Sequence, residues 1–145
     1  ALDRMDQDFG YLEDIPYIDT PVDLEARFDE IVGVTLYENE DVECIYFAVS
    51  PASVNYVRSK MIHRTQMEAE GDELQEYLEK YPQFSGWAVF SIECRPNPEL
   101  YSLLSSYGGN LAVLEPSVIR DEMAKRALSI AKNYDIVNKI VLDNQ

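Results

Sequence analysis

The sequence predicts an α+β domain, one sheet with its covering helices, entered through an acidic lead-in. Three observations carry this reading. Two strongly alternating apolar runs lie at 42–49 and 86–95. Each is followed at once by a helix opening, a hydroxyl or amide residue and then proline, at Ser50-Pro51 and Asn97-Pro98. The charge is also segregated. Of 27 Asp+Glu and 12 Lys+Arg in 145 residues, residues 1–43 hold 14 acids and two bases, a net of −12, which leaves −3 for the rest.

Residues 1–22 show neither helical nor strand period and contain Pro16 and Pro21, so they read as an irregular connector. A short helix is expected at 23–31, where Leu24, Phe28 and Ile31 share a face, with Gly33 ending it. The strand at 42–49 puts Ile45, Phe47 and Val49 on one face and Cys44, Tyr46 and Ala48 on the other. A helix over 51–60 with Val54, Val57 and Met61 on one side comes next, then a polar strand at 62–68. An acidic helix at 72–80 carries Leu74, Tyr77, Leu78 and Tyr81 on one face until Pro82 stops it. In the strand at 86–95, Ala88, Phe90, Ile92 and Cys94 oppose Trp87, Val89, Ser91, Glu93 and Arg95. Leu100, Leu103, Leu104 and Tyr107 form the next helical stripe, closed by Gly108. A strand at 110–115 and a helix from Ser117 follow, the helix turning Ile119, Met123, Ala127, Ile130 and Tyr134 inward. The tail, Ile136–Leu142, is apolar enough to dock, in a state the pattern leaves open.

With the acidic helix taken as an insertion, the order is β-α-β-β-α-β plus a terminal helix. That is a ferredoxin-like βαββαβ sandwich, an antiparallel sheet covered on one face by two helices, with an extra C-terminal helix. The expected division is an acidic connector at 1–41, the ferredoxin-like domain at 42–135 and a tail at 136–145. Nothing approaches the ~20 apolar residues of a membrane span, and no signal peptide opens the chain. The acidic balance disfavours contact with phosphate backbones, which needs Lys and Arg, and with anionic membranes. Two cysteines make no disulfide framework, so a reducing cytoplasm is the expected location. Cys44 and Cys94 fall on opposite sheet faces and are expected to stay reduced. The opening Ala-Leu-Asp-Arg, without an initiator Met, suits a processed chain or a piece of a longer one.

Several strings resemble the C-terminal part of WYL-domain transcriptional regulators of bacteria. Leu2-Asp3-Arg4 resembles the end of the WYL domain, and Phe28-Asp29-Glu30-Ile31-Val32-Gly33-Val34 resembles the family's junction. Ile62-His63-Arg64-Thr65-Gln66 is similar to a Leu-His-x-Ser-Gln string. Val113-Leu114-Glu115-Pro116 with Ile119-Arg120 resembles the closing Val-Leu-x-Pro-x-x-Leu-Arg motif. The likeness runs over roughly residues 1–134, and the order and spacing of the strings carry it. It implies a regulator with an upstream winged helix and WYL barrel, in which this extension serves dimerisation and relays the signal. It implies a nucleotide or nucleic-acid effector, with Arg4 as the residue carried over for contact, and DNA held by the upstream domains.

The remaining candidates are weighed by chemistry. His63, the only histidine, has Arg64, Thr65 and Gln66 beside it but no nucleophile. His63, Arg64 and Gln66 are candidates to bond a phosphate or base edge, against the plainer reading of a polar edge strand. Asp3, Asp6 and Asp8 lack the Gly and distal Glu of a calcium loop. No Cys-x-x-Cys or second His offers zinc a site. Acylphosphatase-type chemistry would need a phosphate cradle after the first strand, and Ser50-Pro51-Ala52-Ser53 has neither Gly nor Arg. No catalytic residue, metal or cofactor is therefore expected. Tyr46, Ala48, Trp87 and Val89 lie on the sheet face the two helices leave open, and are expected either to form a homodimer interface or to lie under the lead-in or tail. The expected function is a non-catalytic regulatory module. The alternative is a free-standing ACT-like domain that binds a small molecule.

Overall fold

A computed structural model describes residues 15–16, 18–19, 21–37 and 39–134. Its elements are α1 (Leu24–Phe28), β1 (Glu43–Val49), α2 (Val54–Ser59), β2 (Met67–Glu68), α3 (Gly71–Lys80), β3 (Ala88–Cys94), α4 (Pro98–Ser106), β4 (Leu111–Glu115) and α5 (Ser117–Asn133). The four strands form one sheet in the order β2-β3-β1-β4. Every neighbouring pair is antiparallel, with Phe47 opposite Phe90 in the centre and Phe47 opposite Val113 on the other side. The fold is α+β, an antiparallel four-stranded sheet with helices.

Local chemistry places most boundaries. Asp23 caps α1 by accepting from the Ala26 N–H at 3.0 Å, and Asn97 caps α4 by accepting from the Leu100 N–H at 2.8 Å with Pro98 at the first helical position. Ser50 does not cap α2. Residues 51–53 form a turn, Ser53 takes the cap position, and the Ser50 hydroxyl donates to Asn110 Oδ1 at 2.8 Å. The strand expected over 62–68 is reduced to Met67–Glu68, because residues 62–66 close a turn: the Gln66 N–H donates to His63 O and Gln66 Oε1 accepts from the Ile62 N–H.

The alternation in β1 and β3 sorts two packed layers. Ile45, Phe47, Val49, Phe90, Ile92 and Cys94 join the main core with Val57 of α2, Leu100 and Leu104 of α4, and Ile119 of α5. Each such side chain contributes about 1.5–3 kcal/mol by leaving water. The opposite face, which α2 and α4 leave free, carries a second layer. Ala48, Val89, Ala69 and Leu114 form a second cluster, roofed by Leu74 and Tyr77 of α3, Tyr81, and Phe84 of the 3-10 turn Pro82–Phe84. The acidic helix is therefore no outlying insertion: its apolar stripe closes the sheet while its acids stay in water.

One further expectation holds and one changes. Cys44 is exposed, Cys94 is buried, and both are free, as opposite faces require. Burial pushes the Cys94 thiol up to about 12, so it packs as a small apolar side chain. In α5 only Ile119 is fully buried and Met123 half-buried; Ala127, Ile130 and Tyr134, expected inward, are exposed.

Candidate interdomain junction

Three of the singled-out residues, His63, Arg64 and Gln66, meet where the chain enters the domain. Residues 29–35 lie across the end of the sheet beside the turn after β3. Ile31 is 5% exposed and Val32 packs on the main core. A segment without secondary structure leaves its carbonyls without partners, and burial makes unpaired carbonyls costly. Here side chains from three places supply the partners.

Asn97 is 1% exposed and serves two roles at once. With its Oδ1 committed to the α4 cap, its amide nitrogen faces the entry segment and donates to Val32 O at 2.8 Å and Thr35 O at 2.9 Å. The Arg95 N–H donates to Glu30 O at 2.6 Å, and Arg95 Nε donates to the Glu30 carboxylate at 2.7 Å. The Arg95 guanidinium also reaches Glu40 O. Thr35 Oγ1 donates to Glu99 Oε1 at 2.6 Å, and this bond holds the Glu99 carboxyl below its ordinary value. Gly33 takes φ +79°, and a Cβ there would stand 2.7 Å from Glu99 Cγ, so the backbone passes where only glycine fits.

The His63 string holds the other side. His63 is 8% exposed, and its Nε2 lies 3.0 Å from Asp29 O. A carbonyl only accepts, so Nε2 carries the proton and Nδ1 takes the Thr65 hydroxyl at 2.7 Å. Thr65 Oγ1 in turn accepts from the Glu93 N–H at 2.8 Å. Burial pushes the imidazole below its ordinary value, reinforced by the charge of Arg64 and opposed by the Asp29 carbonyl and carboxylate. Arg64 pairs with Asp29 yet keeps most of its side chain in solvent. The Gln66 amide is spent on Ile62 N–H and Val57 O.

The sequence-predicted residues thus separate. His63, Arg64 and Gln66 sit together beside the entry segment, while Arg4 lies outside the described residues. Ala48 and Val89 are covered by the second layer; Tyr46 and Trp87 are half-buried at its rim. Tyr46 stacks on Tyr77 at 4.6 Å between ring centroids, and Trp87 meets Phe84 at 5.1 Å. Sequence reasoning missed Arg95, Asn97 and Glu99 as junction residues. Asn97 was visible as a cap, but the second use of its amide leaves no local pattern. Among the described residues no three His, Cys, Asp or Glu side chains cluster as metal ligands, and no helix is long and apolar enough to cross a membrane.

A family model described as the WCX domain matches residues 45–131. No curated protein matches the chain.

Proposed function

Because the chain belongs to the WCX family, the C-terminal extension of WYL-type regulators, we propose that it works as a non-catalytic module of such a regulator, passing effector binding on to an upstream DNA-binding domain and helping two copies associate. The observation that carries the relay is the entry segment. A chain arriving from upstream is fastened at Asp29, Glu30, Val32 and Thr35 by partners in the turn after β3, on α4 and in the His63 turn. A displacement upstream then moves the whole domain, because a network of directional bonds does not slide. The strand order and the α2 and α4 crossovers support a ferredoxin-like frame.

Arg64 is the residue this reading offers to an anionic effector, as its guanidinium stands in solvent at the junction. His63 and Gln66 shape that corner from inside it. For the homodimer, Tyr46 and Trp87 supply the half-buried aromatic rim, with Ala48 and Val89 packed behind them.

The test uses the parent regulator. Asn97→Ser keeps a capping oxygen for α4 and removes the two bonds to Val32 and Thr35. Relay through the junction predicts that this variant still binds its operator but loses most of its response to effector. A variant with full response would overturn the relay. Light scattering of Trp87→Ala against the parent checks the association, and unchanged mass in both would remove it.

A further inference from the structure

A cleft between α2 and α4 takes no part in the junction beyond a shared wall at Met61 and Ile62. Its volume is ≈ 420 Å³, within the range of small-ligand sites. Tyr56 and Lys60, four residues apart, put their side chains on the same side of α2. Lys60 Nζ stands 5.7 Å from the Tyr56 ring centroid. Tyr107, at the end of α4, brings its ring within 6.2 Å of the Tyr56 ring, the two planes 58° apart. Met61, 57% exposed, adds a thioether to the apolar wall.

The polar groups of this cleft are donors. The chain carries a net charge of −15, yet no Asp or Glu lines the cleft. Among the described residues no carboxylate pairs with Lys60. Asn110 Oδ1 is committed to the Ser50 hydroxyl, so the Asn110 amide nitrogen is left to donate into the cleft. Ser53 makes no cap bond with its hydroxyl. The carbonyls at the end of α4 do not claim the lysine: Leu103 O takes the Ser106 hydroxyl, Leu104 O the Tyr107 N–H and Tyr107 O the Asn110 N–H. Burial pushes the Tyr107 phenol above its ordinary value, Tyr56 adds to this, and the Lys60 charge opposes it, as an ammonium beside both rings does.

We infer that the cleft binds a small planar monocarboxylate, an aromatic acid, with its carboxylate on Lys60 and the Asn110 amide and its ring against Tyr56, Tyr107 and Met61. Unspent donors call for a ligand that brings acceptors, which excludes a cation. A sugar fits poorly, because its hydroxyls must also donate and the lining side chains include no carboxylate to receive them. One ammonium balances one negative charge. A phosphate monoester, close to −2 at neutral pH, would leave a charge unbalanced in a chain already strongly acidic. Two rings and a thioether offer contact area to a flat apolar body, which a small inorganic anion lacks.

The experiment is a titration of the 145-residue chain followed through its amide resonances, with benzoate, acetate, benzylamine and phenyl phosphate as probes. Benzoate is expected to give saturable shifts at residues 53–61 and 106–110. It should bind at least about tenfold tighter than acetate, which lacks the ring, and than benzylamine, which reverses the charge. Phenyl phosphate should bind more weakly than benzoate. Lys60→Gln is expected to weaken benzoate about tenfold, and Tyr56→Leu to weaken it by a smaller factor. Both positions are exposed, and unshifted β1 and β3 amides report that the fold is kept. The absence of saturable benzoate shifts would overturn the inference. So would equal binding of acetate or benzylamine, tighter binding of phenyl phosphate, or unchanged benzoate affinity in Lys60→Gln.

Discussion

Two segments that look like accessories in the sequence, the acidic helix α3 and the entry segment 29–35, are fastened to the same sheet by opposite chemistries. α3 is held by its apolar stripe: Leu74, Tyr77 and the following Tyr81 rest on Ala48, Val89 and Leu114. It also meets the sheet through polar groups at its C-terminal end, where Lys80 and the Tyr81 hydroxyl reach Glu115. The entry segment buries Ile31 and Val32, but its geometry is set by hydrogen bonds from Asn97, Arg95, His63 and Thr35. Apolar contact is non-directional and tolerates sliding, whereas paired donors and carbonyls fix a position or leave it. α3 is thus built as a cover and the entry segment as a latch.

The comparison breaks most visibly at Asn97. Asn97→Ala strands the Leu100 N–H and the carbonyls of Val32 and Thr35 together, an expected loss of about 3 kcal/mol from one cap and two buried bonds. Asn97→Ser keeps a capping oxygen for the Leu100 N–H without reaching the two carbonyls, and should lose about half as much. Urea melts of the two variants measure the split. No loss in the variant that keeps the cap would mean that the latch adds nothing beyond the cap.

For the cover, Tyr77→Ala removes the ring stacked on Tyr46 and is expected to cost about 2 kcal/mol in area and ring contact. Hydrogen exchange should show α3 opening while the amides of residues 30 and 95 hold. Loss of protection at both places would make cover and latch one cooperative unit.

How far the sequence revealed these two fastenings follows from their physics. The strands β1 and β3 were legible because alternation is local, and α4 because Asn97-Pro98 signals its own cap. The stripe of α3 was legible as a stripe, but a stripe does not name the surface it covers. Ala48 and Val89 are small, and they read equally as an open face or as a floor. The reduced β2 was missed because Gln66 reaches back to Ile62, a side-chain bond that competes with strand pairing. The latch was least legible, because its acceptors are backbone carbonyls, which every residue has. Gly33 alone leaves a mark, and by pattern it reads as a helix stop, although α1 ends at Phe28.

Gly33→Ala sharpens the comparison at a smaller scale. The new Cβ would sit 2.7 Å from Glu99 Cγ on a backbone with φ +79°, an expected cost of about 1–2 kcal/mol. Glu99→Ala removes Cγ but keeps Cβ, 2.9 Å from the new atom, and also loses the Thr35 bond. In thermal melts Gly33→Ala should therefore cost less on a Glu99→Ala background than in the parent chain. Equal costs would place the penalty in φ and the approach to Cβ.

The smallest effect separates the two fastenings by pH. His63 belongs to the latch, and burial holds its folded value below the ordinary one near 6.5. In that window the unfolded chain binds more protons than the folded one, so the stability from neutral His63 is complete above ~6.5 and declines as pH falls toward the folded value. Protonated, Nδ1 must donate to Thr65 Oγ1, and the Thr65 hydroxyl must turn to Glu93 O, 3.1 Å away. The added charge would also face Arg64. Glu68, Glu99 and Glu115, whose values are lowered by their partners, lose their contribution only below ~4.5, so the His63 window opens first as pH falls. The chain has one histidine, and its ring resonance reports the titration without assignment. The expectation is a midpoint below 6.5, with exchange at residues 29–31 quickening between pH 7 and 5 while α3 amides follow only the intrinsic rate change. In His63→Gln that extra quickening should vanish. A midpoint at or above 6.5, or α3 opening in step with the latch, would show that His63 does not set the latch apart from the cover.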